Sequence, residues 1–456
     1  MDAVSLSRLQ FAFTLSFHIL FPTLTIGLAV FLAVLESLWL KTGDALYKRH
    51  YHFWVKLFAL TFGVGVVTGI VLSYEFGTNF SRFSAIAGSV IGPLMSYEVL
   101  TAFFMEAGFL GVMLFGWNRV GPKLHYTATL LVAAGTVMSA FWILSANSWM
   151  QTPAGALLKD GVFYPQDWWQ IVFNPSFPYR LVHMLLAALL SSSLFVAGVS
   201  AWLLLRGKDA RFAAKSLKMA IMAAAVIAPL QIVAGDQHGL EVERYQPLKV
   251  AAMEGRWQTM SHAPLVLFGW PDAKTRSNLY AVEIPGAASL IIKHDLDGVV
   301  TGLDSAPPDQ WPYVPIVFFA FRAMVGLGLL ILAYAWCGAW LLRRPAGPPR
   351  WFLRAAVWLI PAGFIATVAG WWVAETGRQP WVVYGVLRTV DVASQQPAAL
   401  VLASLLTFVA VYAAVMAAYL YYLLKVIRRG PEDAAPHPLV DELGPARPAF
   451  GGMEGD

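Results

Sequence analysis

Long apolar runs separated by short polar connections dominate the chain. Stretches long enough to cross a bilayer, about 20 residues each, fall at 16–40, 53–75, 93–117, 124–146, 180–205, 217–235, 312–342, 354–375 and 399–424. They predict an all-α integral membrane protein of nine transmembrane helices. The first run is too long for a secretory leader; only Arg8 precedes it as a basic residue, and no small-residue cleavage pattern follows, so it reads as a retained helix.

The polar connections give the run pattern a direction. Lys41, Lys48 and Arg49 follow the first run, Arg119 and Lys123 the third, and Arg206, Lys208, Arg211 and Lys215 the fifth. Arg343, Arg344, Arg350 and Arg354 lie around the seventh connection, and Lys425, Arg428 and Arg429 close the ninth run. Every second connection is basic, which predicts a cytoplasmic position for these connections, an outer N-terminus and a cytoplasmic C-terminus. Residues 1–235 then carry helices one to six, 236–311 form one larger outer loop without a spanning run, and 312–428 carry helices seven to nine. Residues 429–456, rich in Pro, Gly and charge, are expected to form a disordered cytoplasmic tail.

Composition agrees: 58% of residues are hydrophobic and 13% charged, about half the charged fraction of soluble domains, which excludes an ordinary soluble enzyme. The net charge of +5 resides in the short loop clusters, a sign of membrane topology and not of nucleic-acid binding. A single cysteine, Cys337 in an apolar run, excludes an internal disulfide framework and four-cysteine metal sites.

Ionisable side chains inside spanning helices cost about 2.5–3.5 kcal/mol each to insert, so each is a functional candidate. His18 and His183 lie near the starts of runs one and five, Glu98 and Glu106 in run three, Arg322 in run seven, and Glu375 at the end of run eight. With the outer N-terminus, these residues gather toward the outer leaflet. A histidine nitrogen and a thioether such as that of Met324 can fill both axial positions of a low-spin haem iron. Proton coupling in a transporter, or plain polar contacts between helices, would use the same residue types. Glu98 and Glu106, about 12 Å apart along one helix, suit a proton relay or a pair bonded to neighbouring helices.

Several strings make the chain resemble the haem-binding subunit I of the cytochrome bd-type quinol oxidases from residue 7 to about 425. Ser7-Arg8-Leu9-Gln10-Phe11 with Phe17-His18 resembles the opening helix; Gly63-Val64-Gly65-Val66-Val67-Thr68-Gly69 and Phe76-Gly77-Thr78-Asn79 resemble the second helix and its outer turn. Leu114-Phe115-Gly116-Trp117 and Ala146-Asn147-Ser148-Trp149-Met150-Gln151 follow, then Gly235-Asp236 and the quinol-site motif Lys249-Val250-Ala251-Ala252-Met253-Glu254. Phe321-Arg322-Ala323-Met324 and Glu375-Thr376-Gly377-Arg378-Gln379-Pro380-Trp381 complete the series.

The resemblance implies that His183 and Met324 ligate a low-spin haem b, and that His18 and Glu375 serve two high-spin haems, one b and one d. It implies a place for Glu98 and Glu106 on the proton path or around the haems, with Arg322 and Arg378 offsetting haem charge. Trp371 would be an electron-transfer aromatic beside the high-spin haems or a helix-packing residue. Lys249 and Glu254, about 140° apart on a helix, would reach opposite sides of a quinol head group. The loop at 236–311 is short beside the longest in the family, resembling the branch that includes the cyanide-insensitive oxidases, where the third haem is haem d or another haem b.

The implied function is a terminal respiratory oxidase in the bacterial cytoplasmic (inner) membrane. It would oxidise quinol on the outer side, reduce oxygen to water at high-spin haems with protons drawn from the cytoplasm, and so generate proton-motive force. Implied partners are a second, similarly folded subunit in a heterodimer, a small single-helix accessory subunit, quinol, oxygen and membrane lipid, with no nucleic acid. A proton-coupled secondary transporter using intramembrane His and Glu is the rival reading; it would be favoured by inverted repeats or paired broken helices, and the sequence displays neither.

Overall fold

The computed structural model describes residues 2–345 and 347–431, so the expected tail falls outside the described residues from 432 onward. Among the described residues, nine helices are long and apolar enough to cross a membrane: Ala3–Thr42, Ala45–Thr78, Ser81–Phe115, Pro122–Gln151, Trp168–Leu205, Ala210–Tyr245, Val314–Leu341, Arg350–Thr376 and Ala398–Arg429. These are called spans one to nine below. The face carrying the Lys/Arg-rich connections is called the basic face, the opposite one the loop face.

The spans agree with the apolar runs in number and order and exceed several of them in length. Span one begins at Ala3, where the Asp2 side chain caps the helix by accepting from the Ser5 amide at 2.7 Å. His18 therefore sits well inside the helix instead of near its start. Span six continues to Tyr245, ten residues past the expected end at 235, so the first part of the expected loop is helical. Of its polar residues Glu241 is buried and His238 half-buried, while Asp236, Gln237 and Arg244 are exposed, as suits a helix that projects beyond its apolar run.

Prolines break the spans at defined places. Pro22 lacks an N–H and its ring clashes with the carbonyl four residues back; span one accordingly breaks at Ile19, between segments Ala3–His18 and Leu20–Thr42. Pro229 in span six frees the Ala225 carbonyl, which instead accepts the Trp336 indole N–H of span seven at 3.0 Å. Trp336→Phe should lower stability by about 1 kcal/mol, the worth of a typical hydrogen bond, read as a lower unfolding temperature of the solubilised protein. In span three, one π-helical turn, Glu98–Phe103, interrupts the α-helix five residues after Pro93. Such turns concentrate at functional sites.

The main core lies toward the basic face, where Leu28, Leu32, Tyr51, Trp54, Phe58, Leu194, Phe212 and Phe352 are packed. Small residues let the helices meet closely there. A Cβ on Gly27 would stand 2.2 Å from the Ser192 hydroxyl oxygen, which donates to the Leu24 carbonyl at 3.0 Å. On the loop face, the long connection folds into a helix, Pro247–Glu254, ended by Gly255 at φ 64°, and an antiparallel hairpin pairing Leu265–Asp272 with Ser277–Ile284. Leu248, Ala251, Ala252 and Trp257 pack this helix against Val317 of span seven and Val373 of span eight.

Candidate functional site

Polar side chains converge where spans four, five and eight meet the loop helix. Glu375 closes span eight; its Oε2 accepts from Arg378. Its Oε1 accepts from Asn147 Nδ2 at 3.0 Å and Gln151 Nε2 at 3.4 Å, and Arg180 of span five stands 4.0 Å away. Gln151 passes the contact on, since its Oε1 accepts from Lys249 Nζ at 2.6 Å. Lys249 fits because residue 377 is glycine: a Cβ there would lie 2.6 Å from the Lys249 Cγ.

The hub thus sets Arg180, Lys249 and Arg378 around the carboxylate of Glu375, with Glu241 further off. Arg378 Nε and Nη1 and Arg180 Nε are buried without a partner. Buried donors are almost always bonded, and buried cations demand a counter-charge, so the hub fits an anionic group such as the propionates of a haem. Burial drives the Lys249 ammonium well below the usual lysine range, with the Arg180 and Arg378 charges adding to the effect.

Three expected ligand residues each face a glycine on a neighbouring helix. A Cβ on Gly69 would meet His18 Cε1 at 3.1 Å, one on Gly235 would meet His183 Cε1 at 3.1 Å, and one on Gly370 would meet Met324 Sδ at 2.9 Å. Thr68 Oγ1 stands 2.9 Å from His18 Nδ1 and 2.9 Å from the Val64 carbonyl. With the hydroxyl donating to that carbonyl it accepts from Nδ1–H, the tautomer that leaves Nε2 with a lone pair. At His183, the Gln231 amide nitrogen stands 3.2 Å from Nε2 and the His238 ring centroid 5.7 Å away. Trp371 is buried in a cluster with Ile19, Leu144, Phe177 and Met184, between the neighbours of His18 and of His183. Among the described residues no three His, Cys, Asp or Glu side chains are grouped so that they could hold a metal ion by themselves.

The expected quinol pair lies on the Pro247–Glu254 helix, with both residues buried; a solvated surface ion pair is thereby excluded. Glu254 Oε2 has no partner, and burial raises its carboxyl above the ordinary range although Arg322 and Arg256 pull it down. Arg322 is spent mainly on backbone: it donates to the Met253 carbonyl at 2.7 Å, to the Phe318 carbonyl at 3.1 Å and to the Val266 carbonyl. It ties the loop helix and the hairpin to span seven, two residues before Met324.

Glu98 and Glu106 form a separate group. Glu98 sits in the π-turn and accepts from Ser139 at 2.7 Å; Glu106 is buried with its Cγ 2.5 Å from where a Gly135 Cβ would be. Sequence reasoning missed Arg180, Gln151, His238 and Glu36. Arg180 and His183 share a helix face at i, i+3, a spacing that could have flagged the arginine. Glu36 stands inside the first apolar run, where a carboxylate is as unexpected as Glu98.

Residues 6–431 match the family model of cytochrome bd terminal oxidase subunit I. The chain is 36% identical to cytochrome bd ubiquinol oxidase subunit 1 of Bacillus subtilis, over 96% of each chain. It is 33% identical to cytochrome bd-II ubiquinol oxidase subunit 1 of Escherichia coli, over 94% of this chain and 97% of that one. A solved bd oxidase structure from Geobacillus thermodenitrificans superposes with a TM-score of 0.88 at 32% identity, covering 94% of this chain and 99% of its own.

Proposed function

The chain belongs to the cytochrome bd terminal oxidase subunit I family, and from that membership and the buried polar geometry we propose how its residues divide the work. It is a haem-carrying, multi-pass membrane subunit of a quinol:oxygen oxidoreductase and works in a complex with a subunit II. The proton-coupled transporter reading is not favoured. In our reading, the membrane is the bacterial cytoplasmic membrane and the loop face points outward.

His183 and Met324 would hold the low-spin haem b; His18 and Glu375 would serve the high-spin pair, the third haem being d or b. Bound haem supplies the electron-accepting and oxygen-reducing iron. Arg180 and Arg378 bind haem carboxylates through their spare donors, a bidentate task suited to guanidinium. Thr68 holds the His18 ring through Nδ1 and would leave Nε2 free for an iron, as second contacts of metal-binding histidines do. Trp371 fills the gap between the two haem environments. At the loop, Glu254 accepts a proton from quinol while Lys249 polarises the opposite oxygen. Glu98 and Glu106 carry protons inward from the basic face.

The observation that carries this reading is the trio of glycines opposite His18, His183 and Met324. Gly370→Val tests it. The added side chain must displace the Met324 sulfur, and the low-spin signal in a reduced-minus-oxidised spectrum should weaken, with quinol-driven oxygen uptake falling about 10–100-fold, as for other contacts that orient metal ligands. A wild-type spectrum in correctly inserted protein would count against Met324 as a ligand.

A further inference from the structure

Near the basic face the interior holds a second charged cluster that the reaction above leaves unused. Glu36 of span one is fully buried. His125 Nδ1 lies 2.6 Å from its Oε1, and the Thr129 hydroxyl donates to its Oε2 at 2.6 Å. The Tyr51 hydroxyl is 2.8 Å from the Thr129 oxygen. Because Thr129 gives its single proton to Glu36, Tyr51 is the donor to Thr129. Two further nitrogens are buried without a partner, His125 Nε2 and Trp117 Nε1, on rings whose centroids are 4.2 Å apart. Adjacent polar atoms in that condition suit an internal water.

The cluster is closed toward the basic connections by an aromatic cap. Trp39 packs on Trp117 with centroids 5.1 Å apart, Lys48 Nζ sits 4.9 Å over the Trp117 ring, and the His52 ring lies 4.8 Å from it. In the other direction, His125, Thr129, Thr136 and Ser139 of span four fall within about 80° of one another around the helix, one stripe about 21 Å long. At the far end of that stripe, Ser139 donates to Glu98 at 2.7 Å, and Glu106 packs on Gly135 beside Thr136. The stripe is interrupted between Thr129 and Thr136 by the fully buried Val132 on the same face, and at its far end it meets both carboxylates of span three.

We propose that Glu36 and His125 form the proton-entry site of the oxidase, feeding Glu106 and Glu98 along span four. The inference rests on the reading that Glu98 and Glu106 carry protons from the basic face. A proton arriving under the Trp39–Trp117 cap binds His125 Nε2, the Nδ1 proton passes to Glu36 Oε1, and the Glu36 acid releases it toward Glu106. One proton enters and one leaves; Glu36 returns ionised, and His125, left with its proton on Nε2, regains the Nδ1–H tautomer by proton exchange with water before the next transfer. The crossing from Thr129 to Gly135, about 9 Å along the axis, runs past the buried Val132 and requires water to enter there. Lys48 Nζ stands over both rings of the cap, 5.5 Å from the Trp39 centroid and 4.9 Å from that of Trp117.

The test uses the complete oxidase, fully reduced and mixed with oxygen, with proton uptake followed by a pH-indicating dye. Glu36→Gln should slow uptake about 100-fold or more, the scale of a lost proton-transfer group, with the haem spectrum and the KM for quinol unchanged. Glu36→Asp should restore much of the rate, which a purely structural role would not predict. Glu106→Gln is the parallel arm. Wild-type uptake in Glu36→Gln with slow uptake in Glu106→Gln overturns the entry site and leaves the Glu98–Glu106 path standing; wild-type uptake in both overturns that path and the entry site together. Should Glu36→Gln fail to assemble, the near-isosteric Thr129→Val is read in the same assay, where slowed uptake supports the proposal and wild-type uptake overturns it.

Discussion

Met324→Leu is expected to abolish the low-spin haem signal, or convert it to high spin, and to drop quinol-driven oxygen consumption to background while the chain still inserts. The two side chains are close in volume, and such swaps cost under about 1.5 kcal/mol, so packing of residue 324 against Phe321, Ala369 and Val373 survives. What disappears is the thioether lone pair. An iron held by His183 alone on the protein side loses the strong axial field that keeps it low-spin. The reduced-minus-oxidised absorption spectrum checks this, and an unchanged spectrum in the variant removes Met324 from the ligand set. Gly370 makes the comparison sharp, because its missing Cβ leaves room for either side chain.

The contrast between what the chain displays and what it hides follows from how each feature is encoded. Nine spans are legible because lipid demands long apolar runs, and the basic connections punctuate them. His18, His183, Glu98, Glu106, Arg322 and Glu375 are legible as exceptions inside those runs. The ends of the helices are not. Span six passes ten residues beyond its apolar run, with Glu241 buried and Asp236, Gln237 and Arg244 exposed, and hydropathy marks only the apolar part of such a helix. The π-turn at Glu98 is equally hidden, for it depends on one extra residue per turn and not on composition. The hub was half visible. Glu375 and Arg378 lie in one recognisable string, whereas Arg180, Asn147, Gln151 and Lys249 join them only through the packing of three spans and a loop helix.

The glycines show the same division. Gly69 and Gly235 belong to recognisable strings that give them no role, and Gly370 belongs to none. Only the positions of His18, His183 and Met324 across the interface reveal that each glycine leaves room for a side chain proposed as a haem ligand. The two imidazoles and the thioether are thus set by their own helices and given room by the next ones, and such preset geometry is what lets a protein tune a cofactor's reactivity.

Glu254→Gln is expected to cut quinol oxidation about 100-fold or more, the scale of a lost general base, while oxygen reduction driven by an artificial electron donor continues near the wild-type rate. The carboxyl is buried, one oxygen has no protein partner, and desolvation raises its affinity for a proton. A base must be ionised to accept the quinol proton. Because burial lifts this group above the ordinary carboxylate range, against the pull of Arg322 and Arg256, the ionised fraction grows as pH rises through a midpoint above that of a free glutamate. In the wild type, kcat/KM for quinol should therefore climb with pH through that midpoint. In Glu254→Gln the climbing limb should vanish, since glutamine does not titrate, and the residual rate should be flat over the same interval. Arg322 is held by three backbone carbonyls, so the substitution leaves the loop helix anchored and the comparison reports on chemistry. Equal loss of quinol-driven and artificially driven oxygen reduction would place Glu254 on the route to oxygen and not at the quinol.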